Sequence, residues 1–165
     1  AKELLAFFRD QALPLADVIV PNAFELEILS QREVGTWDEA VEAAKALQAL
    51  GPEVILVTGL RLEESLQTLL LLTPEGLWRL EAPHVPGWFV GTGDLFGALV
   101  LGCHMRGESW VRSAAWSAKM LTQILEKTVA LGRREMALVE TMPWEVPWAK
   151  TKKKSDGRVS ITLLS

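Results

Sequence analysis

The stretch ADVIVPNAFELEIL, residues 16–29, contains the transition from strand to helix on which the fold prediction rests. Residues 16–20 are a short apolar run closed by Pro21, which is typical of a strand buried on both faces. Asn22 follows in the position of an N-cap, ahead of a helical stretch over residues 24–29. The stretch therefore predicts a buried strand that leads through a short joint into a helix.

A second helix and a second strand follow directly. Thr36 and Glu39 have the spacing of a capping box and predict the start of a helix. Gly51-Pro52 predicts its end, and residues 54–57 are another continuous apolar run that predicts a buried strand. Strand, helix and strand joined by short segments form a βαβ crossover with parallel strands. The predicted fold class is therefore α/β.

The remaining segments add antiparallel strands and further helices. Residues 66–73 and 77–81 flank a tight Pro-Glu-Gly turn, so they predict a hairpin. No internal repeat and no second domain boundary is visible, so residues 1–165 are predicted to form a single domain. The other predicted segments are helices over residues 95–105 and 109–131, a loop over 142–148, a solvated basic turn at 152–154 and an edge strand over 159–164.

Composition places the chain among soluble globular proteins. Of 165 residues, 49% are hydrophobic and 23% are charged, and the formal net charge of −4 predicts neither a nucleic-acid partner nor a membrane partner. There is no bilayer-spanning apolar run and no signal-peptide pattern in the sequence, so we expect a cytoplasmic protein. The single cysteine, Cys103, suits a reducing compartment. Cys103 and His104 lie on an apolar helical stretch and are predicted to pack in the core.

The start of the chain reads as a helix that is already under way. Leu4, Leu5 and Phe8 recur at helical spacing within residues 1–12, and no initiator methionine precedes them. We therefore expect the chain to be the carboxy-terminal half of a longer domain whose amino-terminal half is missing.

The segment Gly91-Thr92-Gly93-Asp94, placed before an apolar helix, is the most informative chemical pattern. Two glycines let the backbone turn tightly and approach a ligand, and the first amides of a helix lie unpaired at its positive end. This arrangement binds phosphate oxygens. A carboxylate at Asp94 suits a base that takes a proton from an alcohol attacking a phosphoryl group. The alternative is that Asp94 is an ordinary N-cap.

Two further polar groups follow the predicted strands. Asn22 and Glu25 are three residues apart after the first strand, and their oxygens suit Mg²⁺ and its waters near a triphosphate. The same pair also has the spacing of a capping box. Thr58-Gly59 is predicted to end the second strand at the same edge of the sheet, where the hydroxyl of Thr58 can reach a phosphate. A plain strand-to-loop turn would have the same sequence.

This order of motifs resembles the ribokinase-like kinases and, within them, the pyridoxal kinase family. The resemblance is carried by Pro21-Asn22-x-x-Glu25, by the strand ending in Thr58-Gly59 and by Gly91-Thr92-Gly93-Asp94, and it runs from about residue 13 to residue 131, with a weaker match over residues 159–164. Sugar kinases of the superfamily usually have alanine between the two glycines, so Thr92 favours the vitamin branch. The resemblance implies a ribokinase-like three-layer α/β/α fold, present here in part.

The resemblance also implies an activity. The family uses ATP, a divalent cation such as Mg²⁺ and often K⁺ to phosphorylate the 5′-hydroxymethyl group of pyridoxal, pyridoxine and pyridoxamine, and we expect a homodimer. By position, Asp94 is the general base that contacts the acceptor, and Asn22 and Glu25 order the metal and its waters. The residues assigned to the nucleotide and its phosphates are Asn22, Glu25, Thr58, Gly91, Thr92 and Gly93, with His84 and Val85 in the loop that flanks the adenine.

Two alternatives stay open at this point. The acceptor pocket of the family lies mostly in the half that this chain lacks, so a hydroxymethylpyrimidine or sugar kinase of the same superfamily fits the same motifs. A non-catalytic fragment or isoform that acts by binding or assembly is the alternative from another class.

Overall fold

The computed structural model describes residues 2–141 and 159–164. They form two compact units, the first comprising Ala1–Glu81 with Ile161–Ser165 and the second comprising Ala82–Ser160. The loop predicted over residues 142–148 and the basic turn at 152–154 lie outside the described residues. The grouping of the whole chain into a single domain stays a prediction.

The first unit is built on a five-stranded sheet of order β1-β2-β3-β4-β5, with its helices between β1 and β2 and ahead of β1. The chain begins with a helix, as the sequence predicts, and this helix changes from α-helical to π-helical geometry at Phe8. The elements are α1 (Lys2–Phe7), a π-helical turn (Phe8–Ala12), a 3-10 turn (Leu13–Leu15), β1 (Val18–Ile19), α2 (Ala23–Ser30), α3 (Trp37–Gln48), β2 (Val54–Leu60), β3 (Leu66–Thr73), β4 (Gly76–Pro83) and β5 (Ser160–Leu164).

The βαβ crossover and the hairpin are confirmed. β1 and β2 are parallel, with Val18 opposite Val54 and Ile19 opposite Ile55. β2 and β3 are antiparallel, and β4 returns beside β3 as the hairpin prediction requires. β5 lies at the end of the sheet, so the predicted edge strand is present as well.

The core of the first unit lies between α3 and the sheet. Val41, Ala44 and Leu47 recur on one face of α3 and are buried, and they belong to one apolar cluster with Ile55 and Val57 of β2. Each fully buried side chain of the size of Leu or Val contributes roughly 1.5–3 kcal/mol relative to an exposed one. This cluster therefore fixes β2 and α3 firmly, and β2 in turn supports the residues that follow β1.

The prediction that the first strand is buried on both faces is wrong in two respects. β1 comprises two residues instead of five, and both Val18 and Ile19 are only half-buried. The physical reason is the position of β1: within the described part of the chain its one strand neighbour is β2, so its other edge has no cover. By contrast, residues 54–57 of β2 are buried throughout, as predicted.

The second unit is helical. It contains α4 (Thr92–His104), α5 (Trp110–Ala130) and the short α6 (Leu138–Thr141), and Ser109 caps α5 through the amide of Arg112 as the sequence predicts. α4 begins three residues before the predicted start at residue 95. Over residues 2–141 and 159–164, no helix combines the length and the apolar character needed to cross a membrane.

The capping box at the start of α3 is present and gives a pH-dependent contribution to stability. Glu39 Oε2 accepts hydrogen bonds from the amides of Gly35 at 2.9 Å and Thr36 at 2.8 Å, and Thr36 Oγ1 accepts one from the amide of Glu39 at 3.3 Å. The amide of Gly35, followed by the hydroxyl and the amide of Thr36, lowers the pKa of Glu39. A carboxyl group whose pKa is lowered by folding stabilises the fold above its unfolded-state pKa, and this contribution is lost as the pH falls through the folded-state pKa.

We therefore expect Glu39→Gln to melt at a lower temperature than the wild type near neutral pH, because the amide keeps the shape of the side chain but loses its charge. The gap in melting temperature should close as the pH falls through the acidic range below the ordinary glutamate pKa. Thermal unfolding followed by circular dichroism at several pH values measures this gap. A gap that stays constant with pH would contradict the role of the charge.

Candidate functional site

The start of α4 has a different geometry from the predicted one. Gly91 is the N-cap of the helix, with φ of 79°, and its carbonyl accepts the first helical hydrogen bond from the amide of Leu95 at 3.0 Å. Thr92, Gly93 and Asp94 therefore form the first turn of α4 and do not precede it. A positive φ of this size is a conformation that glycine adopts readily and that other residues adopt at a cost, so Gly91 makes this helix start possible.

This helix start is suited to an anion. By helical geometry, the amides of Thr92, Gly93 and Asp94 have no carbonyl partner within α4, and Gly91 has no side chain with which to cap them. The helix dipole adds partial positive charge at the same place. Phosphate oxygens are the usual ligands of such a helix end, so the anion-binding role predicted for residues 91–93 agrees with the local geometry.

Asp94 is the third residue of α4 and is exposed. The alternative in which Asp94 is itself the N-cap is wrong, because Gly91 occupies that position. Asp94 therefore places an exposed carboxylate in the same turn as three amides that have no helical partner. A carboxylate in this position can accept a proton from a group that approaches a bound phosphate. Its catalytic role stays a prediction.

Asn22 and Glu25 form a complete capping box at the start of α2. Asn22 Oδ1 accepts a hydrogen bond from the amide of Glu25 at 2.9 Å, and Glu25 Oε2 accepts one from the amide of Asn22 at 2.8 Å. The capping alternative weighed for this pair is thus present in the structure. Both residues are exposed, and each oxygen keeps a further acceptor site. The two roles are compatible, and the metal role stays a prediction.

Thr58 lies directly beside this capping box. Asn22 and Thr58 form a parallel bridge, and the amide of Thr58 donates to the carbonyl of Pro21 at 2.9 Å. β2 does not end at Thr58-Gly59 as predicted but passes through an irregular step and continues to Leu60. Gly59 has φ of 74° there, and a β-carbon at this position would stand 3.8 Å from Asn22 Cβ. Within the first unit, the structure therefore brings Asn22, Glu25 and Thr58 together.

The donor set of this cluster fits a hydrated hard cation. Among the described residues, no group of three or more His, Cys, Asp or Glu side chains is arranged to hold a metal ion by itself. Mg²⁺ commonly keeps several waters and is bound through one or two carboxylates together with substrate phosphates. One exposed carboxylate, that of Glu25, with the amide oxygen of Asn22 beside it, suits this kind of binding.

The other predicted site residues lie in the second unit. His84 and Val85 belong to the segment between β4 and α4 and are half-buried. Asn22, Glu25 and Thr58 lie in the first unit, whereas His84, Val85 and residues 91–94 lie in the second. The roles of His84 and Val85 beside an adenine stay predictions.

The structure also supports the packing role of Cys103. Cys103 is buried, and desolvation raises the pKa of its thiol, which disfavours the reactive thiolate. His104 stacks on Trp110 with ring centroids 3.5 Å apart, and its Nδ1 is 3.0 Å from the carbonyl oxygen of Glu108. These contacts account for both residues without a ligand.

Sequence reasoning missed one residue beside the anion-binding turn. Met136 follows α5, and its Cε lies 3.7 Å from the position that a β-carbon would have on Gly91. No local pattern around Met136 predicts this contact, because it depends on how the chain folds back after α5.

A parallel βαβ crossover, together with a glycine-capped helix start that is open to phosphate, defines a phosphate-binding α/β protein. The chain belongs to the phosphomethylpyrimidine kinase family, whose sequence profile matches residues 1–139. A curated relative, pyridoxal kinase PdxY of Rubrobacter xylanophilus, is 40% identical over 137 residues, which cover 81% of this chain and 47% of the relative. The chain thus spans about half the length of the curated relatives it matches.

Solved structures confirm the ribokinase-like α/β fold. Pyridoxal kinase from Entamoeba histolytica matches 99% of this chain and 56% of its own, with a TM-score of 0.83 and 27% identity. An ADP complex of Bacillus subtilis pyridoxal kinase matches 74% of this chain and 48% of its own, with a TM-score of 0.66 and 30% identity. The predicted fold class is therefore correct, and the sequence resemblance to pyridoxal kinases is confirmed.

Proposed function

We propose that the protein to which this chain belongs is an ATP-dependent pyridoxal kinase, of which the chain supplies the carboxy-terminal half. The observation that carries the proposal is the start of α4, where three amides without a helical partner and the exposed carboxylate of Asp94 share one turn. An anion site with a carboxylate beside it is what phosphoryl transfer to an alcohol needs from a protein.

The relatives support the choice of substrates. The match to Rubrobacter xylanophilus pyridoxal kinase PdxY favours the 5′-hydroxymethyl group of pyridoxal, pyridoxine and pyridoxamine as the acceptor. The ADP complex of the Bacillus subtilis relative favours an adenine nucleotide as the phosphoryl donor. Both inferences reach beyond this chain, because it spans about half of each relative.

In the proposed reaction, the amides of Thr92, Gly93 and Asp94 hold the phosphoryl oxygens, since they are unpaired within α4 and lie at its positive end. The Asp94 carboxylate takes the proton of the acceptor hydroxyl as its oxygen attacks the γ-phosphorus, and ADP leaves. Thr58 contributes a hydroxyl to the phosphates, and His84 and Val85 flank the adenine. These last three assignments follow the family resemblance.

Asn22 and Glu25 are the residues proposed to hold a divalent cation through its waters. Their oxygens already accept one backbone hydrogen bond each, so their positions are fixed before a cation arrives. When bound, Mg²⁺ neutralises charge on the phosphate oxygens. K⁺ is proposed as a second cation on the family resemblance alone.

Glu25→Gln should raise the magnesium concentration needed for half-maximal rate. A neutral amide attracts hydrated Mg²⁺ less than a carboxylate does, while glutamine still suits the capping box. Steady-state rates measured against magnesium concentration at saturating ATP test this expectation. Glu27→Gln, which changes an exposed glutamate of the same helix outside the box, is the matched control. If the two variants and the wild type had the same magnesium dependence, Glu25 would be a capping residue only.

A phosphomethylpyrimidine kinase is the second candidate, because the family profile that matches residues 1–139 has that description. The test is a comparison of kcat/KM for pyridoxal and for hydroxymethylpyrimidine with the intact protein, ATP and Mg²⁺. We expect pyridoxal to be the better substrate. A clear preference for the pyrimidine would replace the first proposal with the second, and no phosphorylation of either would favour a non-catalytic role in binding or assembly.

We further propose that the intact kinase is a cytoplasmic homodimer made of one ribokinase-like domain per subunit. The single cysteine and the balanced net charge support a reducing, aqueous compartment. Sedimentation of the intact protein at several concentrations tests the dimer, and a monomer at all concentrations would contradict it.

A further inference from the structure

Thr128, near the end of α5, joins that helix to the segment that follows it. Its side chain is fully buried, and its Oγ1 donates to the carbonyl of Ile124 at 2.7 Å and accepts from the amide of Ala137 at 2.9 Å. Ala137 is buried too. Both hydrogen-bonding capacities of the hydroxyl are therefore used, and the second use holds residue 137 against α5.

The residue held next to Ala137 is the one that contacts the anion-binding turn. Met136 precedes Ala137, and its Cε stands 3.7 Å from where a β-carbon of Gly91 would lie. The carbonyl of Met136 is fixed as well, because it accepts a hydrogen bond from the amide of Leu138 at 2.8 Å. Thr128, Ala137, Met136 and Gly91 thus form a continuous line of contacts within the second unit, from α5 to the N-cap of α4.

We propose that Thr128 is a positioning residue for the phosphate-binding turn. Its hydroxyl holds Ala137, and Met136 then braces Gly91, so that the amides of residues 92–94 stay aligned before the nucleotide arrives. The structural part of this inference is independent of the reaction. Its kinetic part rests on the proposed kinase function, because it assumes that the turn binds the phosphates of ATP.

The chain contains a matched control for this hydroxyl. Thr122 lies on the same helix, is also buried, and donates to the carbonyl of Ala118 at 3.0 Å. It has the back-bond of Thr128 without the described bond to the segment after α5. Replacing either threonine by valine removes one buried hydroxyl and keeps the volume, so the difference between the two variants isolates the bond to Ala137.

The first experiment is hydrogen exchange of the intact protein without nucleotide, compared at the Leu95 and Phe96 amides. Thr128→Val leaves the buried amide of Ala137 without its acceptor, so we expect exchange in the first turn of α4 to rise about five- to tenfold. Thr122→Val should leave exchange at these amides unchanged, and Thr128→Ser, which keeps the hydroxyl, should resemble the wild type. Met136→Ala should raise exchange there as Thr128→Val does, which provides a second route if Thr128→Val folds poorly.

The second experiment is steady-state kinetics of the same variants. Because the brace affects the binding of ATP and not the proton transfer, Thr128→Val should raise the KM for ATP about fivefold while kcat and the KM for pyridoxal change less than about twofold. A purely structural loss would lower the amount of active enzyme and leave the KM for ATP unchanged.

The two experiments separate the inference from the proposed function. Faster exchange at Leu95 with Thr128→Val and not with Thr122→Val supports the brace even if the protein phosphorylates no vitamer. If Thr128→Val and Met136→Ala leave exchange at Leu95 and Phe96 unchanged, or if Thr122→Val raises it equally, the brace is wrong even in an active kinase.

Discussion

Asp94→Asn in the intact protein should lower the turnover of pyridoxal about 10²–10⁴-fold, the usual effect of removing a positioned base. The reason lies in the local geometry, since Asp94 shares one helical turn with the amides proposed to hold the phosphates. Asparagine has nearly the same shape but cannot accept the proton. ATP should still bind, because the amides are unchanged and one negative charge near the phosphates has been removed.

A coupled assay of ADP release and isothermal titration with ATP measure these two effects separately. Asp38→Asn is the matched control, because Asp38 is an exposed first-turn aspartate of α3 and its loss removes a similar favourable charge from a helix start. This control should keep wild-type turnover. If Asp94→Asn kept more than about half of the wild-type turnover, the general-base assignment would be abandoned.

The sequence predicted most reliably those elements whose signals are local. The capping box of Thr36 and Glu39 marked the start of α3, and the apolar run of residues 54–57 marked β2. Both signals depend on neighbours within a few residues. The tight turn between residues 66–73 and 77–81 identified the hairpin for the same reason.

The errors occurred where tertiary context decides. Glycine has a low helix propensity, so the sequence placed residues 91–94 before the helix, whereas Gly91 caps α4 and Thr92 begins it. β1 was predicted to be buried on both faces from its apolar residues, yet burial depends on neighbouring strands that a local pattern does not contain. The contact between Met136 and Gly91 was missed because it joins distant parts of the chain.

The candidate site shows why a pattern of residues does not by itself identify a role. Asn22 and Glu25 satisfy the capping box and carry the oxygens that a hydrated cation needs, so one pair of hydrogen bonds serves both interpretations. The bridge between Asn22 and Thr58 adds information that the sequence lacks, since it places a hydroxyl residue next to the pair. A functional measurement, the magnesium dependence of the Glu25 variant, is needed to separate the two roles.

Residues 1–165 expressed alone should bind nucleotide weakly at best and show no kinase activity. The anion-binding turn and the cluster of Asn22, Glu25 and Thr58 are present, so a phosphate can be recognised. However, the chain spans about half the length of the relatives it matches, and holding the acceptor hydroxyl near the γ-phosphoryl group is among the larger contributions to rate.

The isolated chain should also self-associate, for a reason that lies in the first unit. Within the part of the chain that the structure describes, β1 pairs only with β2, so one strand edge is left for another chain. The elements on either side of β1 expose large apolar side chains, with Leu15 86% and Phe24 70% exposed. Exposed apolar surface beside an open strand edge favours association.

Sedimentation velocity of residues 1–165, run beside an assay for pyridoxal 5′-phosphate formation, tests both expectations, and the intact protein under the same conditions is the control. We expect concentration-dependent association and no product from the short chain, and a defined species with turnover from the control. Robust turnover by a monodisperse short chain would show that these residues hold the acceptor without further sequence. In that case the open edge of β1 would have to be compatible with a stable monomer, and the proposal that the chain is half of a kinase would be wrong.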